Sequence, residues 1–368
     1  MAFAHKYMNI LILNWRDITH PWHGGAEVHL HETAKQLVRR GHTVTLLCGG
    51  YAGAKKTESI DGVSVLRYGG TYSIYVLAPI VYLLKLRGTF DLLIDTEHGI
   101  PFFTPLFSRT KKICIIHHIH TTLFYSEFNL PFSAIGAWVE KHIVPILYRN
   151  VPILTLSESW VTELKHMGFR TVHAIAPGIE ENYFTHPQQP LYEQPTILFI
   201  GRFRKYKQLN VVLHMMNNIR KRVPDTRLLI CGAGQEELRL RKLTTNLKLD
   251  DCVEFTGFVS PATKRDLLSQ SHVHAMPSQI EGWGLVATEA AACGLPTVAF
   301  AVIGLTESVA NGISGILTKN KVEFEDAIVS LLSHAKQRAS LSASAKTWAK
   351  QFSWERAGEE TDAWLRSL

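Results

Sequence analysis

The chain reads as an α/β protein of two domains built from successive βαβ units. Three observations predict this. Short apolar runs alternate with amphipathic stretches in both halves, the order of successive βαβ units. An aperiodic, proline-punctuated stretch, Tyr183 to Pro195, separates the halves as a linker. At 368 residues and 46% apolar composition, the chain can fill two sizeable cores.

In the first half, Asn9 to Asn14 reads as a buried strand. His23-Gly24-Gly25-Ala26-Glu27 follows, then a helix with Leu30, Ala34, Leu37 and Val38 on one face, and a strand from Thr43 to Cys48. Gly24 and Gly25 form either a tight turn or a close approach of backbone to a ligand; the dinucleotide pattern Gly-x-Gly-x-x-Gly is absent. Val63 to Tyr68 and Asp91 to Asp95 read as strands. Between them, Tyr72 to Arg87 reads as an apolar helix interrupted by Pro79. Lys111 to Ile116 is a further strand, with His117-His118-Ile119-His120 at its carboxyl end, where open α/β sheets bind ligands. No carboxylate or cysteine completes a metal set with these histidines, so no metal is expected. The aromatic-rich segment Leu123 to Asn150, which includes Phe128, carries a helix from about Ser133. Ser157 is an expected N-cap for Trp160 to Met167.

The second half repeats the order. Strands are expected at Thr196 to Ile200, Arg227 to Cys231, Val253 to Phe255, Val273 to Met276 and Val298 to Val302, each followed by a turn or helix. The loop Gly201-Arg202-Phe203-Arg204-Lys205-Tyr206-Lys207 gathers cations at a strand's carboxyl end. It is either a solvated basic loop or a phosphate site.

After the strand Val273 to Met276 stands Pro277-Ser278-Gln279-Ile280-Glu281-Gly282-Trp283-Gly284-Leu285-Val286-Ala287-Thr288-Glu289-Ala290. A strand, a glycine turn and a helix beginning near Leu285 leave unpaired N–H groups aimed outward, a ready anion site. Glu281 and Glu289 are too far apart to flank one glycosidic bond, since eight helical residues rise ~12 Å and paired catalytic carboxylates stand about 5–9.5 Å apart. They suit the two ends of an elongated ligand such as a nucleotide sugar.

This stretch closely resembles the donor-site signature of glycosyltransferase family 4, Pro-Ser-x-x-Glu-Gly-[Phe/Trp]-Gly-x-x-x-x-Glu-Ala-x-Ala-x-Gly-x-Pro. The resemblance implies a GT-B fold: two Rossmann-like domains facing across a cleft, residues 1–185 for the acceptor and 186–353 for the donor, with 354–368 returning to the first. It implies retaining transfer from a UDP- or GDP-linked sugar without a required cofactor or metal; the competing readings are a nucleotide-sugar epimerase of the same fold and a non-catalytic protein that binds sugar nucleotides or a membrane surface. Arg202 and Lys207, matching Gly-Arg-x-x-x-x-Lys, would then compensate the leaving diphosphate together with the backbone of Gly282, Trp283, Gly284, Leu285 and Val286. Glu281 would hold the sugar, Glu289 the ribose, and Gly257-Phe258 the base. Gly24 and Gly25 match a Gly-Gly-x-Glu turn, and His117 a histidine beside the sugar. Two departures stand out. Gln208 replaces the family's usual glycine, and Ile303-Gly304 its Gly-Gly.

Net charge +7 and pI near 9.1 point to an anionic partner. No nucleic-acid motif accompanies the charge, so a phosphorylated substrate or an anionic membrane is the better match. Five dispersed cysteines read as reduced thiols, and no signal peptide or spanning run is evident, so a cytoplasmic protein is expected. The apolar stretches Tyr72 to Leu86 and Leu123 to Tyr148, bordered by Lys85, Arg87, Lys141, His142 and Arg149, suggest peripheral attachment to a membrane and a lipid-linked or glycan acceptor. Alternatively, they are core helices.

Overall fold

The computed structural model describes residues 7–127 and 129–368; Phe128 lies outside them. The chain divides into two compact units, Met1–Pro177 with Trp354–Leu368, and Gly178–Ser353. The 185/186 position therefore lies inside the second unit. Tyr183, expected in the linker, ends up in a short helix, Glu181–Phe184, with its side chain buried.

The first unit holds one sheet of eight strands: β1 Asn9–Leu13, β2 Thr43–Gly50, β3 Thr57–Ile60, β4 Val63–Gly70, β5 Leu92–Glu97, β6 Lys111–Ile116, β7 Ile153–Thr155 and β8 Val172–Ala174. Their order is β3-β4-β2-β1-β5-β6-β7-β8. Every pairing is parallel except β3 with β4. The central strands β1, β5 and β6 are buried along most of their length, which is why they read as continuous apolar runs. β3 is an addition to the sequence reading. It joins β4 through Asp61 and Gly62, both with positive φ (50° and 85°), the two-residue turn that suits a hairpin's twist.

Two helical segments of this unit keep apolar side chains on the outside. Ile74–Val81 runs on through Pro79 and widens into a π-turn, Tyr82–Leu86, instead of breaking at the proline. The lost donor is tolerated because Ile74, Ala78, Val81 and Tyr82 anchor the inner face. The outer face leaves Val76, Ile80, Leu83 and Leu84 exposed. Phe132–Trp138, a π-turn Val139–Ile143 and Val144–Leu147 form the second segment, exposing Phe132, Ile135, Trp138 and Ile146. Both stretches thus use one face as core and leave another apolar face in solvent. Among the described residues no helix is long and apolar enough to cross a membrane.

The helix Trp354–Ser367 packs on Gly25–Arg39. Trp354, Ala357 and Leu365 join Leu30, Ala34 and Leu37 in one core. Gly358 permits the approach, since a Cβ there would lie 2.4 Å from the Gln36 Cβ. His42 shares a 2.9 Å hydrogen bond with Asp362, and Arg40 donates to the Glu355 carbonyl at 2.8 Å.

The second unit holds six parallel strands, β9 Thr196–Ile200, β10 Arg227–Cys231, β11 Val253–Gly257, β12 Val273–Met276, β13 Thr297–Phe300 and β14 Gly315–Thr318, ordered β11-β10-β9-β12-β13-β14. Renumbered within the unit, that is 3-2-1-4-5-6, the doubly wound order, with the direction of winding reversing between β9 and β12. β13 stops at Phe300, short of the expected Val302, where the Val302 N–H turns back to the Phe300 carbonyl. β14 was not expected: Gly315-Ile316-Leu317-Thr318 is too short and too glycine-led to read as a strand.

Candidate active site

In a doubly wound sheet, ligands meet the carboxyl ends of the strands at the reversal of winding. In the second unit those ends lead into Gly201–Gln208, after β9, and Pro277–Gly284, after β12. Lys207 closes a 3₁₀ turn, Lys205–Lys207, and its Nζ donates to Glu281 Oε1 at 2.5 Å. Both side chains are largely buried. Burial alone would lower the Lys207 pKa; the Glu281 carboxylate, by charge and by hydrogen bond, more than offsets this and holds it above the ordinary lysine value. Lys207 is therefore a fixed cation at physiological pH.

Gln208 occupies the position where a glycine was expected and adopts a left-handed conformation, φ 50° and ψ 32°. The loop keeps the course a glycine would give it, at the cost of strain on a larger residue. Gly304 retains the glycine that matters downstream. At φ 83°, a Cβ there would lie 2.2 Å from the Glu281 carbonyl oxygen, so this loop presses directly on the Glu281 backbone.

Gly284 precedes the helix Leu285–Ala292 with φ 91°; a Cβ would meet Leu305 at 2.7 Å. The first N–H groups of this helix have no acceptor within it, as at any helix start. Trp283 is expected to meet a ligand through its backbone, and its side chain lies elsewhere. Its indole is buried and packs edge-on against Phe352 at 5.5 Å, so only its backbone is left to meet a ligand. Glu289 accepts from Lys264 Nζ at 2.5 Å and from the Tyr183 hydroxyl. The sequence reading missed Lys264 and Tyr183. Lys264 lies one turn after Ser260, the N-cap of Pro261–Gln270. Gly257 has φ 70° with open space around its Cα, and Phe258 beside it is 62% exposed.

In the first unit the winding reverses between β1 and β5. Asn14, just past β1, shares a 2.8 Å hydrogen bond with His98, just past β5. His117, following β6, stacks on His98 at 5.5 Å and shares a 3.2 Å hydrogen bond with His29. Burial drives the His117 pKa well below the ordinary value and that of His29 to about 4, so both rings are neutral at physiological pH. His117 Nδ1 is buried without a partner among the described residues. Asn14, His29 and His98 escaped the sequence reading; Asn14 and His98 follow the neighbouring strands β1 and β5, whereas His29 lies in the helix Gly25–Arg39. Gly24 caps Gly25–Arg39 in an extended conformation, and its N–H donates to Glu27 Oε2 at 2.7 Å. Neither Gly24 nor Gly25 has positive φ.

One expectation is corrected outright. Carboxylates do stand beside the histidine run: His120 Nδ1 lies 3.5 Å from Glu140 and 3.8 Å from Glu97. Glu140 is distant in sequence, and the reading of Asp91 to Asp95 as the whole strand stopped short of Glu97, now seen to end β5.

Residues 23–183 match the family model described as Glycosyltransferase Family 4, and residues 184–348 that of Glycosyl transferases group 1. The chain is 34% identical to D-inositol 3-phosphate glycosyltransferase of Corynebacterium aurimucosum, across 92% of this chain and 90% of that one. The chain belongs to glycosyltransferase family 4. This glycosyltransferase shares its GT-B fold with sucrose-phosphate synthase from Thermosynechococcus elongatus (TM-score 0.82, 19% identity, 98% of each chain). It shares it too with HepE of Anabaena, solved with UDP and glucose (TM-score 0.77, 19% identity, 98% of this chain and 100% of that one).

Proposed function

We propose that this glycosyltransferase moves a sugar from a nucleoside diphosphate sugar to an acceptor hydroxyl with retention of anomeric configuration. The observation that carries this reading is the buried Lys207–Glu281 pair at the reversal of winding, beside the start of helix Leu285–Ala292. A permanent cation next to a helix N-terminus suits a diphosphate, and a carboxylate held by that cation suits sugar hydroxyls. Arg202 and Lys207 stabilise the charge that develops on the leaving group, so the chemical step requires no metal. The sugar C1–O bond to phosphate breaks, the acceptor oxygen bonds to C1 on the same face, and the departing phosphate oxygen takes the acceptor's proton. Glu289, oriented by Lys264, accepts from ribose hydroxyls. Gly257 and Phe258 meet the base. In the first unit, the proposed substrate contacts are neutral His117, through its Nδ1, and the backbone of Gly24 and Gly25.

The uridine nucleotide of the HepE complex makes a UDP-linked donor the first to test. The exposed apolar faces of Ile74–Leu86 and Phe132–Leu147, bordered by Lys85, Arg87, Lys141, His142 and Arg149, favour an acceptor carried at an anionic membrane. A second reading, a soluble phosphorylated acceptor, is favoured by the inositol 3-phosphate in the relative's name. A panel of nucleotide sugars assayed for slow nucleoside diphosphate release without acceptor tests the donor. Release from one donor, accelerated by a hydroxyl acceptor, is expected; no release from any donor would overturn the reading.

A further inference from the structure

Glu97, His120 and Glu140 form a cluster that the proposed transfer does not use. Their ligating atoms all lie within 4.8 Å of one another. Glu97 and Glu140 are each 1% exposed, and His120 is the one base within ion-pair distance of either carboxylate among the described residues. Two ionised carboxylates buried side by side repel each other unless a counter-charge joins them.

The oxygens of the two acids are treated very differently. Glu140 accepts from the His120 N–H at 2.6 Å and from the Thr121 hydroxyl at 2.5 Å, which fixes its carboxylate in place. Neither oxygen of Glu97 meets hydrogen-bond geometry with a partner, though the Gly99 N–H stands close enough to favour its charged form. A fully buried carboxylate with neither oxygen in a well-formed hydrogen bond, beside a histidine nitrogen and a second carboxylate, is costly unless something else occupies that space.

The spacing suits a metal ion. Nitrogen and oxygen donors about 2.0–2.2 Å from a tetrahedral ion stand roughly 3.3–3.6 Å apart. The His120–Glu140 and His120–Glu97 separations, 3.5 and 3.8 Å, need little or no adjustment. Glu140 lies in the π-turn Val139–Ile143, which departs from the regular helical register next to the cluster. One imidazole and two carboxylates suit zinc or manganese better than calcium, which takes six to eight oxygens.

We propose that Glu97, His120 and Glu140 bind one divalent transition-metal ion of the zinc class, leaving a position for water. The ion fastens the end of β5, the turn after β6 and the π-turn Val139–Ile143 together. Its role is structural, in the first unit, and it supplies no charge to the diphosphate.

The full chain, stripped with a chelator and dialysed, is titrated with Zn²⁺ and separately Mn²⁺, following uptake and melting temperature. One tight equivalent is expected, raising the melting temperature by at least about 3 °C. Co²⁺ should give the strong visible absorption of a four-coordinate site. Glu97→Gln, which preserves shape, should abolish the tight equivalent, as should His120→Ala. Uptake that persists in both variants would place the metal elsewhere and overturn the assignment. So would the absence of a stoichiometric equivalent in the parent protein, the outcome if the two acids share a proton instead. Stripped enzyme assayed well below its melting temperature should still transfer sugar, so this inference can fail without touching the proposed function.

Discussion

Lys207 and Glu281 are a buried pair, so replacing one member does two things at once. Lys207→Met removes the leaving-group cation and strands Glu281 in a buried site. We expect at least a hundredfold loss of transfer, by analogy with ~3–4 kcal/mol for a preorganised donor, together with a lower melting temperature. Adding Glu281→Gln should recover the melting temperature and not the rate; recovery of both would reduce the pair to a structural role. Arg202→Ala should cost a similar factor in rate with the fold intact, as checked by steady-state kinetics alongside circular dichroism. Gly284→Ala tests the anion site through the backbone. At φ 91°, with Leu305 2.7 Å from the added carbon, it should destabilise the second unit by roughly 1–3 kcal/mol in a denaturant titration and weaken nucleotide binding. At this scale the donor signature was legible because its residues lie within one stretch of chain. Lys264, Tyr183, Glu97 and Glu140 were not, because their partners are brought to them only by strand order.

Among the elements, the strands of the two sheet centres could be read directly, since burial on both faces leaves an unbroken apolar run. The edges could not. β3 is a half-exposed strand with no apolar pattern, though the Asp61-Gly62 turn beside it was a signal that went unused. Pro79 misled in the other direction, because packing of an inner face outweighed one missing donor. β9 carries a pH dependence that follows from its first residue. The Thr196 N–H donates to His272 Nδ1 at 3.2 Å, and burial, with Arg338 and Arg227 nearby, lowers the His272 pKa to about 4. A base whose pKa is depressed on folding contributes stability that is present above its unfolded value of about 6.5 and is lost as pH falls through about 4. The second unit should therefore lose on the order of 2–3 kcal/mol across that window. Denaturant midpoints measured from pH 7 to 4 should show a shallower slope in His272→Gln.

For the whole molecule, the testable property is what its exposed apolar faces meet. The purified protein should co-sediment with anionic vesicles at low ionic strength and release at high, with Leu84→Asp and Trp138→Asp each weakening the association. No binding even at low ionic strength would favour the soluble acceptor. Trp354→Ala should cost about 3–5 kcal/mol of first-unit stability, because its ring fills the core shared with Gly25–Arg39. That last packing has a consequence for the order of events during synthesis. The first unit's helix Gly25–Arg39 emerges early, yet the segment that covers it follows the whole of Gly178–Ser353. At 5–20 residues per second, the ribosome needs roughly 10–35 s to make that intervening stretch. Throughout this interval the nascent chain carries an uncovered apolar groove, which makes it a client for chaperones until residue 354 and its followers arrive.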